Sequence, residues 1–213
     1  MKHRIEQAGW NRQEHFAFFS QFDEPFFGLV ADVDATRAYA RARELGVSFF
    51  QLYLHATLSA VQTVENLRYR INEQGEVDCY DQINVSAILS RPDHTFAFSF
   101  IPFSPDLHAF GHGLAAEAEA VRHSSGLRLG PETGRPDVIH FSALPWLSFT
   151  GLTHARSFAR PAVDSIPKIS VGRLRPEGGR QLLPVSVNVH HGLADGYHVG
   201  LLLAELQRRL DEV

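Results

Sequence analysis

Two adjacent histidines and a nearby aspartate form the most chemically suggestive string in this chain of 213 residues. Apolar and polar residues alternate over 185–189, which predicts a β-strand, and His190 and His191 follow it directly. Asp195 comes four residues after His191 and precedes a helical pattern. Because imidazole titrates near neutrality, a histidine held at a strand end can act as a general base. We predict this role for His191, with Asp195 either anchoring the segment or capping the helix that follows.

The same residues also allow a less specific interpretation. His191 could be a buried histidine without a chemical role and Asp195 a plain helix cap, and the spacing alone favours this view. A metal site is not expected despite twelve histidines, because His190 and His191 would point to opposite faces of a strand and neither HExxH nor a cysteine pair is present. GxSxG and phosphate-binding motifs are absent from the sequence, and Cys79 is interpreted as a partly buried thiol.

The composition limits the classes of partner. The chain is 44% hydrophobic with a formal net charge of −4, whereas a nucleic-acid surface needs concentrated positive charge. Its single cysteine excludes an intrachain disulfide and favours a reducing compartment. The sequence has neither the apolar segment of a signal peptide nor a run of about twenty apolar residues that could cross a membrane. We expect a cytoplasmic, soluble protein that binds neither nucleic acid nor membranes.

Hydrophobic periodicity predicts the elements that must position these residues. Helical spacing begins near Asn11 and recurs over 35–45, 49–64, 105–121 and 197–210. Strand patterns occupy 26–33, 67–71, 76–80, two runs within 84–103, 138–143, 166–174 and the segment before His190. Strands outnumber helices, and several are joined by hairpins. The pattern predicts an α+β fold, a two-layer sandwich with a mixed β-sheet covered by helices, in a single domain over 1–213.

Four passages of the chain carry a resemblance to a known family. The string from His190 to Gly196 has the form HHxxxDG, which is found in the CoA-dependent acyltransferase superfamily. Residues 10–16, 67–71 and 142–150 are similar, in the same order, to segments of the type A chloramphenicol acetyltransferases. A dihydrolipoyl acyltransferase would also need a lipoyl domain, and a peptide-synthetase condensation domain is much longer. The chain therefore resembles the chloramphenicol acetyltransferases over nearly its whole length.

The resemblance implies catalytic roles for five residues. His191 matches the general base, Asp195 matches a structural aspartate, and Arg12 matches the ion-pair partner of that aspartate. Ser142 matches the serine whose hydroxyl stabilises the tetrahedral intermediate. Ser170 stands where the family has a threonine that orients a water molecule. The alternatives are a solvated residue at a helix start for Arg12 and an ordinary strand serine for Ser142.

The resemblance also implies binding residues. Phe18, Phe19 and Phe96 fall on acceptor-pocket positions, and Phe19 stands where a tyrosine is common. Phe98 replaces a smaller residue nearby and would narrow the pocket. Trp146 matches a tryptophan that contacts CoA, with a core aromatic residue as the alternative. These departures from the family pattern affect the identity of the acceptor more than the acetyl-transfer chemistry.

The activity implied by the resemblance is O-acetylation of chloramphenicol, which confers antibiotic resistance. Acetyl-CoA is the expected co-substrate, and no metal is expected. The family is trimeric, which implies a homotrimer in which His191 meets Ser142 of the neighbouring chain. The alternatives are the same chemistry on another hydroxyl or thiol acceptor, and a non-catalytic trimeric protein that binds hydrophobic ligands. The set of His191, Asp195, Ser142 and Arg12 argues against the non-catalytic alternative.

Overall fold

A mixed seven-stranded β-sheet is the framework of the computed structural model, which describes residues 1–156 and 164–212. The described strands are β1 (Lys2–Arg4), β2 (Phe26–Asp34), β3 (Tyr69–Ile71), β4 (Val77–Tyr80), β5 (Asn84–Ser90), β6 (Phe96–Ile101), β7 (Val138–Leu144), β8 (Lys168–Gly172), β9 (Arg175–Glu177) and β10 (Arg180–His190). The described helices are α1 (Gln13–Phe19), α2 (Thr36–Glu44), α3 (Phe49–Thr63), α4 (Leu107–Arg122) and α5 (Gly196–Glu212), with a 3₁₀ turn at Glu65–Arg68.

The strand order of the large sheet is β2-β10-β8-β7-β5-β6, and β9 pairs with β10. β7 runs parallel to β5 and β8, and the remaining pairs are antiparallel. The sheet is therefore mixed, as predicted from the sequence. Because β10 lies between β2 and β8, its end at His190 is held by ladder hydrogen bonds from β2 and by the neighbouring β8.

The alternating sequence of β10 explains its two buried faces. Val185, Val187 and Val189 join the main hydrophobic core, whereas Ser186 and Asn188 are buried on the opposite face. β-Branched residues favour a strand, and successive side chains point to opposite faces. The Asn188 side-chain amide donates to the Ser186 hydroxyl at 3.1 Å, which partly satisfies this polar face.

The helices form a second layer over the valine face of the sheet. α3 contacts α2, α4 and α5, and its side chains are buried around most of its circumference, which agrees with its nearly continuous apolar sequence. The Ser48 hydroxyl caps this helix by accepting from the Gln51 N–H at 3.0 Å. α5 buries Val199, Leu202, Leu206 and Leu210. The predicted α+β sandwich with a mixed sheet covered by helices is thus confirmed.

A small sheet lies beside this sandwich and connects α1 with the end of β10. Its strand order is β1-β4-β3. A separate hydrophobic cluster includes Phe16 of α1, Tyr69 of β3 and Leu193, two residues beyond His191. The segment that carries His191 is therefore packed against α1 as well as connected to the large sheet.

The structure differs from the sequence prediction in three local details. β1 was not predicted. α4 begins at Leu107 rather than Pro105, because the Asp106 carboxylate accepts from the Ala109 N–H at 2.7 Å and caps it there. Arg12, not Asn11, occupies the N-cap position of α1, and its side chain forms no capping bond there. In the part of the chain that the structure describes, no helix combines the length and apolar character of a membrane span.

Candidate active site

His191 follows the last residue of β10 and is enclosed by aromatic rings. Its imidazole stacks on Phe19 with ring centroids 4.0 Å apart and planes at 16°. Phe27 of β2 contacts the same ring at 4.6 Å. The backbone N–H of His191 donates to the Pro25 carbonyl at 2.8 Å. The side chain is half-buried, so it is fixed in orientation while it keeps access to a ligand.

Arg12 holds the backbone at this histidine and at the residue that follows it. One guanidinium nitrogen donates to the His191 carbonyl at 2.9 Å, and Nε donates to the Gly192 carbonyl at 3.3 Å. The remaining nitrogen lies 2.6 Å from the Asp195 carboxylate. Arg12 is 6% exposed, so it is not a solvated residue at a helix start. The ion pair implied by the resemblance is present, and its contribution to catalysis stays a prediction.

Asp195 both anchors the His191 segment and caps helix α5. One carboxylate oxygen pairs with Arg12, and the other accepts from the Tyr197 N–H at 3.0 Å in the first turn of α5. Burial alone would raise the pKa of Asp195, but its hydrogen bonds with Arg12 and His198 lower that pKa to about 2. The carboxylate is therefore ionised at neutral pH and links α1, the His191 segment and α5.

His190 and His191 have opposite environments. His190 is 1% exposed, and its Nδ1 accepts from the Gly192 N–H at 3.2 Å. A neutral imidazole has one donor nitrogen and one acceptor nitrogen, so the proton of His190 is on Nε2. Burial lowers the pKa of His190 to about 4, which keeps it neutral. His191, with its half-buried ring, is therefore the better candidate for exchanging a proton with a substrate.

The Nδ1 atom of His191 has no hydrogen-bond partner among the described residues. A neutral imidazole that accepts a proton at Nε2 carries its own proton on Nδ1. A fixed acceptor for that proton, such as a backbone carbonyl, is not present in the described part of the chain. The two ring contacts and the restrained backbone are therefore what orients the imidazole here.

Ser142 and Ser170 form the second part of the predicted site, in the middle of the sheet. Ser142 of β7 is in register with Ser170 of β8, which is in register with Ser186 of β10. Ser170 is fully buried, and its hydroxyl lies 3.4 Å from Nε2 of His154. His154 was not identified from the sequence, since it lies outside every motif, and only the folding of the loop after β7 brings it to Ser170.

One chain does not bring Ser142 and His191 together. Ser142 is two strands away from β10, in register with Ser186. His191 lies five residues beyond Ser186, so a rise of about 3.4 Å per residue and a strand spacing of about 4.8 Å place the two side chains roughly 20 Å apart. The predicted base and the predicted oxyanion donor are therefore far apart within the chain.

The predicted binding residues also lie in two separate regions of the chain's surface. Phe19 stacks on His191, and Phe18, Phe19 and Phe22 contact one another with ring centroids 5.1–5.3 Å apart. Phe96 and Phe98 lie on β6 at the other edge of the sheet, with ring centroids 6.0 Å apart. Phe98 lines a cleft of about 400 Å³ together with Ser86, Glu117 and Arg128.

Trp146 lies in the turn after β7 and is 67% exposed. It is therefore not a core aromatic residue in this chain, and its indole is available to a ligand.

Two further residues near the site were not predicted from the sequence, for different reasons. Phe27 was placed on the correct strand, but its contact depends on the pairing of β2 with β10. His198 lies three residues after Asp195, a helical spacing that could have identified it.

Over 1–156 and 164–212, no group of three or more metal-ligating side chains is close enough to hold an ion.

Comparison with solved structures shows a shared fold. A structure of Azotobacter vinelandii dihydrolipoamide acetyltransferase has a TM-score of 0.68 at 18% identity, over 96% of this chain and 87% of that chain. At this identity the likeness is one of fold alone.

Closer comparisons establish the family. The chloramphenicol acetyltransferase family model matches residues 2–207. Chloramphenicol acetyltransferase 2 of Escherichia coli is 30% identical over 212 residues, 99% of this chain and 97% of that protein. A solved chloramphenicol acetyltransferase structure has a TM-score of 0.91 at 28% identity, over 99% of this chain and 100% of the other. The chain belongs to the chloramphenicol acetyltransferase family and is an acyltransferase, so the family predicted from the sequence is confirmed.

Proposed function

We propose that this protein transfers the acetyl group of acetyl-CoA to a hydroxyl group of chloramphenicol and thereby confers resistance to the antibiotic. Family membership supports the reaction type. The observation that carries the proposal is the environment of His191. Its ring is half-buried against Phe19, while Arg12 and Asp195 restrain the backbone that bears it. A base held in this way loses little freedom when the substrate binds.

The mechanism assigns one task to each polar group. His191 Nε2 accepts the proton of the acceptor hydroxyl as its oxygen attacks the thioester carbonyl. The Ser142 hydroxyl donates a hydrogen bond to the oxyanion that develops on that carbonyl. Collapse of the tetrahedral intermediate breaks the C–S bond, and the proton held by His191 passes to the CoA thiolate. Ser170 stays a candidate for orienting a water molecule near the intermediate.

We also propose that the protein works as a homotrimer in which each site combines two chains. Within one chain, strand geometry separates His191 from Ser142 by roughly 20 Å, too far for both to act on one carbonyl. Exposed aromatic residues lie near both predicted groups. Phe18, which packs on Phe19 next to His191, is 58% exposed, and Phe96 on β6 is 42% exposed. If the His191 side of each chain contacts the Ser142 side of the next and three chains close a ring, the ring contains three equivalent sites.

The acceptor is tested by a spectrophotometric assay of CoA thiol release. The purified protein is incubated with acetyl-CoA and, in separate reactions, chloramphenicol, other hydroxylated compounds and thiol compounds. We expect release with chloramphenicol and none when its hydroxyls are blocked. Release with another acceptor alone would favour the same chemistry on a different substrate, since Phe19 stands where a tyrosine is common in the family. No release with any acceptor would favour the non-catalytic alternative.

The shared site is tested by subunit complementation. His191→Ala and Ser142→Ala are each purified, and then co-expressed so that mixed trimers assemble. Each variant alone should be nearly inactive. An equal random mixture should recover roughly a quarter of wild-type activity, because each mixed trimer contains one site with both residues intact. No recovery from a confirmed mixed trimer would mean that His191 and Ser142 act within one chain, whereas activity of either variant alone would mean that the replaced residue is not required.

A further inference from the structure

The Asp195 carboxylate has a second side-chain partner besides Arg12. His198 lies in the first turn of α5, and its Nδ1 is 2.8 Å from the Asp195 oxygen that does not contact Arg12. The His198 side chain is 15% exposed. The same nitrogen lies 3.2 Å from the backbone nitrogen of Asp195, whose N–H points at it. His198 therefore contacts both the carboxylate and the backbone of Asp195, and its Nδ1 donates to the first or accepts from the second according to its tautomer.

A continuous set of hydrogen bonds connects this imidazole to the backbone of the proposed base. Nδ1 of His198 contacts one oxygen of Asp195, and the other oxygen accepts from Arg12 at 2.6 Å. Arg12 then donates to the carbonyls of His191 and Gly192 at 2.9 and 3.3 Å. Without His198, the outer carboxylate oxygen would retain only the Tyr197 N–H at 3.0 Å among these contacts. The carboxylate could then rotate, and the guanidinium would follow it.

We propose that His198 is a positioning residue for the acetyl-transfer reaction. By holding both the carboxylate and the backbone N–H of Asp195, its imidazole fixes the Arg12 guanidinium and hence the position of the His191 peptide. His198 acts through Asp195 and Arg12, and none of its contacts described here reaches the reacting atoms. The inference rests on the proposed function of His191, because it states how that base is held.

Replacement of His198 distinguishes positioning from simple helix stability. His198→Asn keeps an amide group, which can donate or accept, near the place of Nδ1, whereas His198→Ala removes it. Leu201→Ala is the matched control, since Leu201 is 42% exposed on the same helix and takes no part in the contacts of Asp195, Arg12 and His191 given above. We expect His198→Ala to lower kcat by about 10- to 100-fold, the range that a misplacement of up to 1 Å can cost. KM for both substrates should change little, because a misplaced base weakens interactions made in the transition state.

His198→Asn should recover most of kcat, and Leu201→Ala should match the wild type. An unchanged kcat in His198→Ala, equal losses in the alanine and asparagine variants, or an effect on KM alone would overturn the proposal. A second measurement does not depend on activity. The ¹H–¹⁵N resonance of Gly192 in glycine-labelled protein should move in His198→Ala and return towards the wild-type position in His198→Asn. An inactive wild type would refute the proposed function, whereas a Gly192 resonance unaffected by His198→Ala would refute the positioning role.

Discussion

Replacing Asp195 by asparagine tests whether the ion pair with Arg12 stabilises the His191 segment. Asparagine has nearly the same shape and keeps an oxygen for the Tyr197 N–H, but it removes the charge 2.6 Å from the guanidinium. Arg12 is 6% exposed, so water cannot fully replace the lost carboxylate. Breaking a buried pair costs about 3–5 kcal/mol. Since the Asp195 side chain is 30% exposed and Arg12 keeps two carbonyl acceptors, we expect a loss of about 2 kcal/mol.

The pKa of Asp195 leads to a similar magnitude. Burial opposes ionisation, but the hydrogen bonds with Arg12 and His198 lower the pKa from 3.8 to about 2. That difference corresponds to at most about 2.5 kcal/mol, which solvent screening at this partly exposed group reduces to about 1–2 kcal/mol. Because the folded-state pKa is the lower one, this stability is fully present above about pH 4 and is lost as the pH falls through about 2.

Urea unfolding at fixed protein concentration measures the effect. At pH 7, Asp195→Asn should lower the free energy of unfolding by about 2 kcal/mol with an unchanged m-value. At pH 3 the difference from the wild type should be about half as large, since the wild-type carboxylate has then lost part of its advantage. Asp23→Asn, which changes the same charge at an exposed position, should have little effect. A variant as stable as the wild type at pH 7, or a difference that grows at pH 3, would refute the reasoning.

Three further substitutions test the surroundings of the base. His191→Ala should lower kcat by about 10²–10⁴-fold while the melting temperature changes little, and an unaffected rate of CoA release would remove His191 from the mechanism. Gly192→Ala should lower the free energy of unfolding in urea by about 1–3 kcal/mol, because its new Cβ would lie 3.1 Å from the Cα of Phe16 and from the Cε1 of His190. Gly196→Ala is the control, since no atom lies within 4 Å of its new Cβ. Phe19→Leu should lower kcat/KM by about 2- to 10-fold through loss of the ring stack on His191, and an unchanged value would mean that the stack does not orient the base.

Much of the architecture could be predicted from the sequence because its signals are local. The alternating valines predicted β10, the nearly continuous apolar pattern predicted the buried helix α3, and Ser48 marked its first turn. Helix starts were less certain. Helical spacing predicted that α4 starts at Pro105, whereas Asp106 caps the helix and it begins at Leu107. Ser104 and Asp106 are both good cap residues, and only the folded backbone selects one of them.

The sequence by itself determined the family, the α+β class and the identities of the residues expected to act. These depend on motif spacing and hydrophobic periodicity, which are properties of neighbouring residues. The tertiary structure decided which of those residues meet. It brought Arg12 to Asp195 across 183 positions of the chain, stacked Phe19 on His191, and left Ser142 two strands away from β10. Such long-range pairings follow from the strand order and from the burial of the whole core, and no local pattern in the sequence contains them.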